Sequence, residues 1–367
     1  MLDFPSESAA YAAFAERYSD GLPIVLPTPE RVRAMLAGSV EDPDDTIGLV
    51  FPSGNAATVR DVAINAVMAG ADARQFRVIL ATIEALLDER FNLNGLQSTT
   101  HCATPIVIVS GPHAAEAGLS AGNNVLGNGL HGNLSVGRAV RLVLTNVGGG
   151  IPGKTDMSVQ GTPAKISFCV AERLDAGCWP ALAERQGGDA SETTVTVMAA
   201  DGPVTVSDHR SATPQRLLRN VADTMRHMGS LNAAKPGPAA LLLSPQHARV
   251  IARAGWDVAA IQRFLFEHAR NPVWRLREGG EWDPVLTPKS IARFGDADDP
   301  QTMVPVLEKP DDLIVAIAGG DSGGFSAVVT CWPASAVLHR FIDDDGSYST
   351  PRAARAPTRD AHERILA

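Results

Sequence analysis

Positive charge, cysteine pairs and long apolar runs are all scarce in this chain, and each shortage excludes something. Lys and Arg number 32 against 41 Asp and Glu, a formal charge of −9. Nucleic acid and anionic membrane surfaces demand a basic face, so neither is an expected partner. The longest apolar runs, such as TPIVIVSGP, have the length of a strand and fall short of a membrane span. The N-terminus MLDFPSESAAYAAF has no basic stretch leading into an apolar one, so export is not expected and a cytoplasmic location is. Cys102, Cys169, Cys178 and Cys331 are scattered without a CxxC pair, which fits reduced thiols better than a disulfide framework. HExxH, an EF-hand loop and a GxGxxG after a first strand are also missing. GDSGG at 320–324 matches the surroundings of a chymotrypsin-like serine, but Ser322 follows the parallel-type strand LIVAIAG, and the match reads as coincidence.

What is present points to a layered α/β protein. At 367 residues the chain has room for two packed domains, and its 45% hydrophobic content is that of an ordinary globular protein. Strands are expected at Ile106–Val109, Ala139–Leu144, Thr193–Met198, Ala240–Leu243 and Leu313–Ile317. Helices are expected at Val59–Ala69, Arg74–Asp88, Gln215–Met228 and Asp257–Glu267. IVIVSGPHAAEAGLSAG (106–122) aligns without a gap on ALLLSPQHARVIARAGW (240–256), pairing Ser110 with Ser244 and His113 with His247. Segments 57–70 and 212–225, then 141–153 and 312–324, form two looser pairs in the same order. The expectation is an internal duplication: two similar lobes, each a mostly parallel sheet flanked by helices, spanning 1–188 and 189–367. The basic tail TPRAARAPTRDAHER reads as a solvated end.

Glycine-rich turns supply the candidate binding elements. In TNVGGGIPGKTDM, exposed amides of Gly148, Gly149, Gly150 and Gly153 are suited to a carboxylate or phosphate, with Lys154 adding a point charge. GGGIPGKT satisfies GxxxxGK[ST] letter by letter, but Gly161 and Pro163 interrupt the helix a nucleotide loop needs. The Gly/Asn-rich stretch 120–140, with Asn124 in it, reads as a long irregular loop and the floor of a site, leading to a helix near Val136.

Among reactive side chains, His101 is the candidate acid/base, just before a buried strand. Cys169 is a candidate nucleophile only where a base or cation lowers its pKa, and Glu172, three residues on, is suited to polar work. His113 and His247 occupy matched positions and read as structural. His101, Cys102 and His131 show no recognisable metal-ligand spacing.

At NGLQSTTHCATPIVIVSGP, GRAVRLVLTNVGGGIPG and KISFCVAE the chain resembles an uncharacterised bacterial family found beside, or fused to, small UGSC family (seleno)proteins. The resemblance covers residues 55–175 well and the C-terminal half more loosely. It implies a partner subunit carrying thiol chemistry on a CGSC motif, and a joint site lined by His101, Asn124, Lys154 and Glu172. The residues themselves, with substrate held by the amides of 148–153 and Lys154, His101 as acid/base and Glu172 as a second proton-transfer group, give the expected function: an enzyme, lyase- or hydratase-like, acting on a small polar carboxylate- or carbonyl-bearing substrate. The alternatives are a scaffold subunit for a CGSC-type oxidoreductase, or a His/Cys metal-dependent enzyme. A homo- or hetero-oligomer is expected, and no particular cofactor is implied.

Overall fold

The computed structural model describes residues 5–279, 282–343 and 347–350; the basic tail from residue 351 onward lies outside them. In chain order the first strands are β1 (Thr46–Val50), β2 (Asn55–Thr58), β3 (Thr104–Ser110), β4 (Cys169–Ala171), β5 (Thr193–Ala200), β6 (Val204–Ser207) and β7 (Ala239–Leu243). Then come β8 (Arg270–Pro272), β9 (Met303–Pro305), β10 (Leu313–Ile317), β11 (Phe325–Thr330), β12 (Leu338–Ile342) and β13 (Tyr348–Ser349). β1–β2 and β8–β9 are small two-stranded sheets; the rest form a five-stranded sheet, β13-β12-β5-β3-β4, and a four-stranded sheet, β10-β7-β11-β6.

Alternation along the strands dictates how these sheets stack, because successive side chains leave opposite faces. Ile106, Ile108, Val170 and Met198 of the first sheet share one buried cluster with Ala240, Leu242, Ile314 and Val329 of the second. Val107, Val109, Val195 and Val197 point the other way, onto helices Val59–Met68, Phe76–Leu86 and His131–Asn146. Leu241, Leu243, Val315 and Val328 likewise meet helices Pro214–Met225, Pro245–Arg253 and Val258–His268. The result is four layers: helices, sheet, sheet, helices.

The expected strands at 106–109, 193–198, 240–243 and 313–317 and all four expected helices are present. Thr58 caps the helix at Val59 with a reciprocal Asp61 contact, whereas Thr213 stands at the equivalent cap position without a side-chain bond. Two expectations are corrected. The sheets are mostly antiparallel: only β3–β4 and β7–β10 run parallel, because the turns that feed β5 and β11 send the chain back the other way. Residues 139–144 belong to the helix His131–Asn146, not to a strand. A short continuous apolar run carries no period of its own, and here Val136, Ala139, Val140 and Val143 recur at helical spacing on a buried face. The match of 141–153 to 312–324 therefore pairs a helix with a strand.

Both sheets exchange a strand. β5 runs on into β6, which lies in the second sheet, and β11 runs on into β12, which lies in the first; Ala200 and Cys331 bridge at the crossing. A division at 188/189 thus does not separate the sheets, since β5 and β12 complete the first one.

His339 on β12 bonds Thr196 of β5 at 2.8 Å. Burial, then the Arg340 charge, lowers its pKa to about 4 from an ordinary 6.5. The folded chain thus keeps His339 neutral while the unfolded chain takes up a proton, so stability is lost as pH falls from 6.5 towards 4. Urea unfolding at pH 7 and pH 4.5 should show His339→Gln losing about 2–3 kcal/mol less than the parent over that interval. Equal losses would show that His339 does not drive it.

Candidate functional site

The residues singled out in the sequence divide between the two ends of β3. His101 precedes the strand, while Glu172 follows β4, which runs parallel to it. Seven residues at ~3.3 Å each put the two roughly 20 Å apart. At the carboxyl end, Glu172 is buried and accepts from the Ser110 hydroxyl, from the Leu182 amide at 2.7 Å and from Arg185 at 3.3 Å. Cys169 is buried on the helix side of β4, and that burial alone pushes its thiol up to about 12. Asn124 adopts a left-handed backbone, donates to the Asn128 carbonyl at 2.6 Å and borders a cavity of about 550 Å³ with Ser244, Gly319 and Gly320.

The triple glycine ends a helix. Amides of Gly148, Gly149 and Gly150 donate to carbonyls of Val143, Thr145 and Leu144, closing the last turn of His131–Asn146. Gly149 supplies the positive φ of +71° that such a terminus needs, and a Cβ on Gly150 would lie 2.4 Å from the Gln97 amide nitrogen. The Gly153 amide donates to Asp156 and that of Lys154 to Ile151, so the amides of these candidate residues are all engaged within the chain. Lys154 itself is exposed.

A different group forms at the amino end. His101 and Cys102 meet Asp201, one residue past β5, and the donor atoms of the three lie within 4.8 Å of one another. His101 Nε2 is 3.4 Å from Asp201 Oδ1. Asp201 is held by the strand crossing: its amide donates to the Thr330 carbonyl, and the Thr330 hydroxyl donates to Oδ2 at 2.9 Å. His101 is fixed from the other side, where the Ser158 hydroxyl donates to its carbonyl at 2.6 Å.

Ser158 belongs to a cationic network. Lys165 Nζ donates to Ser158 and sits 2.7 and 2.8 Å from the two oxygens of Asp156. Arg141 reaches the same carboxylate at 2.6 Å and Gln97 at 3.0 Å. Burial alone would raise Asp156, yet Lys165 and Arg141 hold its carboxyl below the usual range. Burial, then the Arg141 charge, draws the Lys165 ammonium down in turn.

At the centre, burial pushes Asp201 up against the opposing pull of His101 and Thr330, and burial followed by the Asp201 charge pushes the Cys102 thiol up. His101 Nδ1 and Asp201 Oδ1 are both buried and have no hydrogen-bond partner. Orphaned polar atoms of this kind are rare and collect where a ligand or a reacting group belongs.

Asp201, Asp156, Lys165 and Arg141 were not evident as site residues in the sequence. Arg141 carried one signal, a cation enclosed by the apolar run AVRLVL, while Asp201 lies a hundred residues from its partner His101. No protein-family model matches the chain, and no curated protein matches it either.

Proposed function

We propose that the chain is an enzyme acting on a small carboxylate- or carbonyl-bearing molecule by lyase- or hydratase-like chemistry, centred on His101, Cys102 and Asp201. The observation that carries this reading is the pair of buried, unpartnered atoms His101 Nδ1 and Asp201 Oδ1, set beside a thiol. Two cations share the single carboxylate of Asp156, and the Lys165 charge reaches Cys102 against that of Asp201. The ammonium can stabilise the enolate- or alkoxide-like charge of elimination or addition. A free thiol nucleophile suits the site less well, because burial and Asp201 both keep Cys102 protonated.

Hydrogen–deuterium exchange at carbon tests the proposal and requires no assay for a particular product. Incubated in D2O with a panel of small hydroxy- and oxo-acids, the chain should wash out a C–H signal of one member by NMR. His101→Gln should slow that exchange by about 100-fold or more, the usual share of a positioned proton-transfer site. Undiminished exchange in His101→Gln would move the centre elsewhere. Activity appearing only when a CGSC-motif protein is added would favour the scaffold reading instead.

We infer as well that the two sheets descend from a duplication. Support comes from their shared pairing pattern, in which β3 and β7 each have one parallel and one antiparallel neighbour, and from the aligned strand–helix blocks at 106–122 and 240–256. On that alignment Lys235 and Pro236 stand where the first unit has His101 and Cys102, so the chemistry belongs to one unit alone.

A further inference from the structure

We propose that His101, Cys102 and Asp201 together bind a divalent transition-metal cation of the zinc type. The inference rests on the reading of this cluster as the reacting centre and specifies what completes it.

Geometry is the first argument. Two ligands on a tetrahedral ion at ~2.0–2.1 Å lie about 3.3–3.5 Å apart, and His101 Nε2 and Asp201 Oδ1 are 3.4 Å apart. The widest donor separation in the cluster is within 4.8 Å, and a thiolate–ion–imidazole pair needs about 3.6 Å. Rotation of the Cys102 side chain, which is only half-buried, supplies the difference. Nitrogen, sulfur and oxygen donors in one set suit zinc better than magnesium or calcium, which take oxygen. Three protein ligands leave a fourth position for water or substrate, as in catalytic zinc sites.

The unpaired atoms are the second argument. Asp201 is anchored through Oδ2 by the Thr330 hydroxyl, which leaves Oδ1 aimed at His101 with no donor to meet it. Orientation of one carboxylate oxygen by an outer hydrogen bond, with the other free, is how a metal ligand is held. Thiolate and carboxylate would cancel the charge of a divalent ion, so Lys165 nearby would not oppose its binding. The ion in turn would stabilise the thiolate, reversing the local preference for a neutral thiol.

Cobalt(II) is the probe. Full-length chain freed of metal by chelator and then titrated with Co²⁺ should bind one ion per chain. It should show a sulfur-to-cobalt charge-transfer band in the near ultraviolet and intense tetrahedral bands in the visible. Cys102→Ser should abolish the charge-transfer band, and Asp201→Asn should weaken Co²⁺ binding at least tenfold. Cys178→Ser, which alters another half-buried thiol, should leave the spectrum unchanged. Far-ultraviolet circular dichroism of each variant establishes that it is folded, and cobalt should raise the unfolding temperature of the parent and not of Cys102→Ser. Substoichiometric binding, or a charge-transfer band that survives Cys102→Ser, overturns the metal site. If metal is absent yet His101→Gln abolishes carbon–deuterium exchange, the metal inference fails and the reacting centre stands. If cobalt binds as described but exchange survives His101→Gln, the metal is structural and the functional reading fails alone.

Discussion

Asp156→Ala should destabilise the chain by about 3–5 kcal/mol, the cost of leaving buried cations without their counter-ion. Asp156 is 6% exposed, Arg141 10% and Lys165 14%, so neither cation can turn to water without disturbing the helix His131–Asn146 or the loop that follows it. Denaturant unfolding of the variant beside the parent measures the loss. A triple variant that also replaces Arg141 and Lys165 with methionine should recover most of it, since the penalty belongs to the stranded charges more than to the missing carboxylate. A loss below about 1 kcal/mol in Asp156→Ala would mean that the network is solvated, as exposed pairs are.

Glu172→Ala should cost a similar amount, about 3–5 kcal/mol, for the same reason at the opposite end of the sheet. Its carboxylate is 5% exposed and joins Ser110 at the end of β3, the Leu182 amide at the start of a short helix, and Arg185. Arg185 also donates to the Val315 carbonyl of β10, so the loss should loosen the first sheet from the second. Per folded molecule, carbon–deuterium exchange should be unchanged, because the proposed reacting centre at His101 lies a strand length away. Full stability combined with lost exchange would restore to Glu172 the proton-transfer role its sequence position suggested.

Much of the layering was legible because it rests on local pattern. TPIVIVS, AALLL and LIVAI are too short and too apolar for surface helices, and Thr58 before VRDVAINAVM announces its helix by capping chemistry. GRAVRLVLTN failed the same test because it is apolar on enough sides to suit either element, and only its packing against Val59–Met68 and the sheet decides. The site was legible by half. His101 and Cys102 stand out next to a buried strand, yet their third partner comes from the far end of β5, and the pairing of β3 with β5 is a property of topology that no spacing rule reaches. Lys154 drew attention through its glycines, but those glycines finish a helix; the cation that the structure sets beside Asp156 and Ser158, Lys165, sits in the plain stretch GTPAK.

The exchange of β6 and β12 between the sheets has a consequence for how the chain is made. β5 waits for a neighbour, β12, that is about 145 residues further along, with Val197 opposite Leu338. During synthesis the first sheet stays open along that edge until β12 has left the ribosome. Non-local pairing of this kind slows folding and keeps an unpaired strand exposed meanwhile. A cut near 188 would divide the first sheet, leaving β3 and β4 in one fragment and β5, β12 and β13 in the other beside the whole of the second sheet. The first sheet is thereby completed only after the strands of the second have been made, and Asp201 sits just past the bridge where the two sheets cross.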